Sequence, residues 1–207
     1  MVLLVGLGNP GKKYGANRHN VGFMALDALA SSAAGAIAWK EKFSGVYARG
    51  ELFGQPAVLL KPMTYMNLSG DSVQPAMAFS KVSVREVIVL HDELDVPFGE
   101  VRVKVSGGHA GHNGLRSILE RAGSPDFVRI RIGIGRPPAG FAGAVADYVL
   151  SDFTASERAE LPGLLAKAAL ATEKVIKVGA EAAMTLVNAK APPRNGPNRK
   201  VPPAKDT

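Results

Sequence analysis

Short apolar runs alternate along this chain with glycine-rich polar loops, and the period within each run separates strands from helices. Val2 to Val5 is an unbroken apolar run of strand length, followed by a long polar loop. Beyond that loop Val21, Met24, Ala25, Ala28 and Leu29 recur at helical spacing, with Asn20 placed to cap them. Gly45 to Phe53 and Pro56 to Lys61 read as strands joined by a turn at Phe53-Gly54-Gln55, and Asn67 opens a helical stretch to about Ser80. Val87 to Leu90 reads as another buried strand. Glu100 to Val105 and Val128 to Ile132 alternate polar and apolar with period two, the mark of half-exposed strands, and a helix from Leu115 to Arg121 lies between them. Thr154-Ala155-Ser156-Glu157 is a capping box. Amphipathic spacing then continues to about Ala189, with a break expected near Pro162-Gly163.

Elements in this order predict an α/β fold: a single-domain three-layer sandwich with a mixed, partly parallel central sheet flanked by helices. At 207 residues and 46% apolar composition the chain is long enough for one core and short for two. The expected division is one folded domain over residues 1–190 and a basic, proline-rich tail over 191–207 whose composition is that of disorder. There is no cysteine, which excludes disulfides, thiolate nucleophiles and thiolate zinc sites, and suits a cytoplasmic protein. The first apolar run, MVLLVGLG, is too short to span a membrane and has no basic residue before it.

Charge adds a partner class. The net charge is +7, of which the tail from Lys190 to Thr207 carries +4. Within the body, Arg102, Lys104, Arg116, Arg121, Arg129, Arg131 and Arg136 face only Glu100, Glu120 and Asp126 in the same stretch, a candidate footprint for phosphate. A solvated charged face has the same composition, so charge alone does not identify the partner.

The candidate chemistry sits in the polar loops. All four histidines lie there: His19 in GNPGKKYGANRHN, His91 in VIVLHDELD, and His109 and His112 in SGGHAGHNG. Gly6-Leu7-Gly8-Asn9-Pro10-Gly11 matches the dinucleotide-binding glycine pattern, but a polar loop follows where that motif needs a helix N-terminus. The loop instead offers Asn9, Tyr14, Asn17, Arg18, His19 and Asn20, more hydrogen-bonding capacity than a turn requires. Asp92 follows a buried strand, where it serves as a turn cap, a metal ligand or the partner that fixes an imidazole tautomer. No histidine pair has the helical spacing of a zinc protease, and no G-x-S-x-G elbow supplies a serine nucleophile, so a histidine acting on water is the simpler hydrolytic scheme. Asn67 reads equally as a helix cap and as a polar contact beside the apolar surface of Tyr65 and Met66.

Four segments in order, GLGNPGKKYGANRHNVGF, KPMTYMNLSG, HDELDVPFGEVRVKVSGGHAGHNGLRSI and FVRIRIGIGRP, closely resemble the bacterial peptidyl-tRNA hydrolases, over about residues 2 to 190. The resemblance implies a monomeric cytoplasmic esterase without metal or other cofactor, acting on peptidyl-tRNA at the acceptor end of the tRNA. It implies that His19 is the base that activates water, that Asp92 keeps it basic, and that Asn9 distinguishes blocked from free aminoacyl-tRNA. Tyr14, Tyr65, Asn67 and Asn113 match positions that contact tRNA or the peptide-ester end, and Lys104 and Arg131 match a clamp for tRNA phosphate. Two rival readings are a non-catalytic RNA-binding protein on the same fold and a metal-dependent phosphohydrolase built on His91-Asp92.

Overall fold

The computed structural model describes residues 1–33 and 37–189; the tail expected at 191–207 lies outside the described residues. Seven strands form one mixed sheet: β1 (Val2–Gly6), β2 (Lys40–Lys42), β3 (Gly45–Leu52), β4 (Gln55–Pro62), β5 (Val87–Glu93), β6 (Val101–Val105) and β7 (Val128–Gly133), in the spatial order β2-β3-β4-β1-β5-β7-β6. The inner pairs β4/β1, β1/β5 and β5/β7 are parallel, and β2/β3, β3/β4 and β7/β6 are antiparallel. The partly parallel sheet expected from the element order is therefore present, with the antiparallel pairs at its two sides.

Alternation along the strands sends residues to two cores. Leu4, Leu59, Ile88, Leu90, Ile130 and Ile132 pack under α1 (Val21–Ser31), α5 (Ala155–Val178) and α6 (Ala180–Asn188). Leu3, Val5, Val58, Leu60, Val87 and Val89 pack under α2 (Ser69–Ser80) and α3 (Asn113–Ala122). Because the central strands are buried on both faces, they read as unbroken apolar runs rather than alternating ones.

Helix α1 lies very close to the end of β1. A Cβ built on Gly22 would approach the backbone N and O of Leu7 at 2.6 Å, so the helix can sit there only because that position has no side chain. The Phe23 amide donates to the Leu7 carbonyl at 3.1 Å, fixing the approach.

Several boundaries differ from the sequence reading. Strand β5 runs on through His91, Asp92 and Glu93, because these pair with Arg131, Ile132 and Gly133 of β7. The break expected at Pro162-Gly163 is absent: α5 continues across it, and the chain turns at Gly179 with φ 84°. Pro162 and Gly163 are exposed, while Leu164, Ala168, Ala171, Thr172 and Val175 hold one buried stripe. A carbonyl left without its helical partner by Pro162 can therefore meet water, and packing outweighs the local penalty. Asn20 precedes α1 but makes no side-chain cap, and Asn67 lies in a short 3-10 turn, Met66–Leu68, without capping α2. The strand β2 and the one-turn helix α4 (Val145–Val149) carry no periodicity long enough to announce them.

Candidate active site

Topology locates the site. From β1 the chain builds β4 on one side and β5 on the other, so the strand order reverses at β1, and loops leaving neighbouring parallel strands there diverge to leave a crevice. His19 comes from the 3-10 turn Arg18–Asn20 after β1, and Asp92 from the end of β5.

These two residues meet. The Nδ1 of His19 lies 2.8 Å from Oδ1 of Asp92, with both residues buried. His112 reaches the same oxygen, its Nε2 at 3.0 Å. Its other nitrogen, Nδ1, accepts from the amides of Gly114 and Leu115 as the N-cap of α3. With Nδ1 an acceptor, the proton of neutral His112 is on Nε2, which donates to Asp92. His19 likewise donates from Nδ1, which leaves its Nε2 lone pair free. Burial opposes charge on Asp92, but the rings of His19 and His112 and their hydrogen bonds hold its carboxyl well below the usual range. Burial also acts against protonated His19, yet the charge and hydrogen bond of Asp92 outweigh it and raise the imidazole above its ordinary value.

His91 takes no part in this chemistry. It is fully buried, its Nδ1 donates to the Asp92 carbonyl at 2.7 Å, and burial followed by the nearby His112 pushes it down to about 3, so it stays neutral. It fixes the backbone that carries Asp92.

A cavity of about 320 Å³ opens beside the cluster, lined among others by His19, Asp92, His112, Asn113 and, from α4, by Val145 and Val149. The loop from Ser106 to Gly111 forms another part of its rim, with Ser106, Gly107, Ala110 and Gly111 all at positive φ. Arg129 holds that loop by donating to the carbonyls of Gly107 and Gly108. A basic residue of β7 thereby sets the shape of a loop more than twenty residues earlier.

Of the other expected residues, Asn9 is buried and tightly oriented. Its backbone exchanges two hydrogen bonds with the Asn20 side chain, each 2.9 Å, and its Oδ1 accepts from the Met66 amide at 2.9 Å. That commitment explains why Asn20 is not a cap, and it leaves the two-proton Nδ2 of Asn9 as the end able to meet a ligand. Asn67, next to Met66, is exposed and does not line the cavity. Lys13 Nζ lies 4.7 Å from the ring centre of Tyr14, which raises its ammonium with a smaller contribution from Tyr65. Lys104 and Arg131 line a second, smaller hollow with His91 and Arg129, and Nε of Arg131 donates to Glu93 at 2.8 Å.

His112 is a histidine to which the sequence reading assigned no role. Its chain position, before a helix start, suggests a cap, but its bond to Asp92 depends on the path through β6. His19, Asp92 and His112 also bring potential metal-ligand atoms within 4.8 Å of one another. The nitrogens facing Asp92 both carry protons in the hydrogen-bond pattern just described, whereas a ligand nitrogen needs its lone pair, so this donor set fits a proton relay better than a metal.

A doubly covered α/β sheet with a buried histidine–carboxylate pair opening on a cavity at its switch point is the layout of an enzyme that moves a proton. The profile of the peptidyl-tRNA hydrolase family matches residues 3–195. A peptidyl-tRNA hydrolase of Sorangium cellulosum is 64% identical, over 93% of this chain and 86% of that protein, and one of Geotalea daltonii is 50% identical over 91% and 96%. The crystal structure of peptidyl-tRNA hydrolase from Acinetobacter baumannii superimposes with a TM-score of 0.82 at 39% identity, covering 91% of this chain and 95% of that one. The chain belongs to the peptidyl-tRNA hydrolase family, whose members are hydrolases acting on the ester bond of peptidyl-tRNA.

Proposed function

We propose that the chain releases the peptide from peptidyl-tRNA lost by ribosomes, using His19 as general base on water and Asp92 as the group that orients it. The observation that carries this reading is the shared Asp92 oxygen: it accepts a hydrogen bond from Nδ1–H of His19 and leaves Nε2 free beside the cavity. Nε2 takes a proton from water as the oxygen attacks the ester carbonyl, and Asp92 stabilises the imidazolium that forms. The carbonyl oxygen gains negative charge, for which the side-chain amide of Asn113, on the cavity lining, is a donor. Collapse breaks the bond to the 3′ ribose oxygen, which takes the proton back from His19. Water, base and donors complete the reaction without a metal or other cofactor.

Lys104 and Arg131 take tRNA phosphate, and Tyr14, Tyr65 and Asn67 contact the acceptor end. Phosphate and shape contacts suit a substrate recognised by its end rather than by base sequence. Residues 1–190 are the catalytic domain, and the basic tail adds nonspecific affinity for RNA. The protein acts as a monomer in the cytoplasm; no helix among the described residues is long and apolar enough to cross a membrane.

Turnover of N-acetyl-aminoacyl-tRNA tests the assignment, for the wild type with and without chelator and for His19→Ala. We expect near-complete loss in the variant and no effect of chelator. Retained turnover in His19→Ala overturns the base, and loss in chelator points to the metal-dependent reading.

A further inference from the structure

Behind the catalytic pair lies a buried cation that the reaction does not use. Arg18 precedes His19, is only 4% exposed, and lines not the cavity beside His19 but a separate hollow with Tyr148, Ser151 and Glu157. Its Nη1 donates to Oγ of Ser151 at 2.7 Å and to the carbonyl of Asp152 at 2.6 Å, and its Nη2 donates to Oε2 of Glu157 at 2.6 Å. The guanidinium carbon lies 4.4 Å from the ring centre of Tyr148 and 5.4 Å from that of Phe153. The backbone on either side is fastened as well. The Arg18 amide donates to the Ser151 carbonyl at 3.1 Å, the Phe153 amide to the Ala16 carbonyl at 3.3 Å, and the Asn17 side chain to Asp152 at 2.6 Å.

The partners of Arg18 belong to the wall of the cavity. Tyr148 sits in the one-turn helix α4, of which Val145, Ala146 and Val149 line the cavity beside His19. A helix of one turn has little stability of its own, so its position depends on what holds it. Tyr148 is held at its hydroxyl by the Ile134 carbonyl, at 2.9 Å, and at its ring face by Arg18. One planar guanidinium thus joins the turn that carries the base to the wall against which substrate must sit.

We propose that Arg18 is a positioning residue that holds the His19 turn and the α4 wall in one fixed geometry, keeping His19 aligned on Asp92 while substrate occupies the cavity. The proposal rests on the reading of His19 as the base. The groups facing His19 are Asp92 from β5 and His112 from the start of α3, with Glu93, Asp95, His109 and Arg136 elsewhere on the cavity lining. On the far side, Glu157 and Asp152 are already engaged by Arg18 and Asn17. Burial acts to lower His19 and the contact with Asp92 outweighs it, so loosening that contact lowers the imidazole toward its ordinary value. A base with a lowered value stays unprotonated further into acid. The defect of a loosened variant therefore narrows as pH falls, although its turnover at neutral pH is reduced.

The test is the pH profile of kcat and KM for N-acetyl-aminoacyl-tRNA hydrolysis by full-length Arg18→Lys, with the folded fraction measured by circular dichroism. Lysine keeps the charge and loses the planar fork and the stack. We expect kcat at neutral pH to fall about tenfold, since small misplacements of a catalytic group are costly, with KM changed less than about twofold. The acid limb should move to lower pH, and added guanidinium should partly restore activity to Arg18→Ala. A loss of kcat that follows the folded fraction, with the shape of the pH profile unchanged, overturns the proposal and leaves Arg18 a purely structural ion-pair residue. Should Arg18→Lys fail to fold, Ser151→Ala, which removes the hydroxyl that accepts from Arg18 and donates to the Tyr148 carbonyl, decides by the same criterion of profile shape. His19→Ala in parallel separates the two levels: activity retained there refutes the base itself, whereas an unshifted Arg18→Lys profile with inactive His19→Ala refutes only the positioning role.

Discussion

Replacing Asp92 by asparagine separates its charge and hydrogen-bond direction from its shape. In the wild type one oxygen accepts from His19 at 2.8 Å and from His112 at 3.0 Å. A neutral amide oxygen keeps a weaker version of one bond, and a hydrogen bond to a charged group is worth about 1.5–3 kcal/mol. At about 1.36 kcal/mol per tenfold in rate, loss of that support in the transition state alone slows turnover by roughly ten- to a hundredfold. The second consequence is larger. If the amide NH2 turns toward His19, Nδ1 must accept, the ring proton moves to Nε2, and the base facing the cavity is gone. A serine-protease triad loses on the order of 10⁴ in kcat from the equivalent change, so we expect about 10³–10⁴ here. Single-turnover hydrolysis of N-acetyl-aminoacyl-tRNA by Asp92→Asn, alongside its thermal unfolding curve, measures this. A loss below about tenfold in a folded variant would refute the idea that Asp92 sets the His19 tautomer.

The other expectations concern binding, pH and packing. Lys104→Ala or Arg131→Ala should each reduce the slope of log affinity for tRNA against log salt by about one, as expected for one lost phosphate contact, and an unchanged slope counts against the clamp. His91 is held neutral at about 3 in the folded protein, against an ordinary value of 6.5. Its contribution to stability is therefore complete above pH 6.5 and is lost as pH falls toward 3, by up to about 1.4 kcal/mol per pH unit. Urea unfolding at pH 7 and pH 5 should show a smaller difference for His91→Asn than for the wild type, and equal differences would remove His91 as the cause. Gly22→Ala should lower stability by about 1–3 kcal/mol, because the added Cβ meets the Leu7 backbone at 2.6 Å; a thermal midpoint equal to wild type would show that α1 can move aside.

Much of the fold was legible because burial writes itself into short windows. The runs Val2 to Val5 and Val87 to Leu90 and the alternation in Val101 to Val105 each report their own surroundings, and all became strands. What failed was local chemistry overruled at a distance. Pro162 reads as a break but lies on the wet side of a helix whose buried stripe continues past it. Asn20 and Asn67 look like caps, yet Asn20 is taken by the Asn9 backbone and Asn67 is left on the surface.

The site divides in the same way. Residue types and motif order determined the family, the α/β class, and His19, Asp92, Asn9 and Asn113 as its candidate chemistry. Only the tertiary structure decided that His112 shares the oxygen of Asp92, that His91 bonds the Asp92 carbonyl, and that Arg18 ties the turn carrying His19 to Ser151, Asp152 and Glu157. A sequence pattern records whether a residue meets water or apolar surface within a few positions of itself. Which nitrogen faces which oxygen across 73 or 133 residues is set by the strand order, and no local period carries that information.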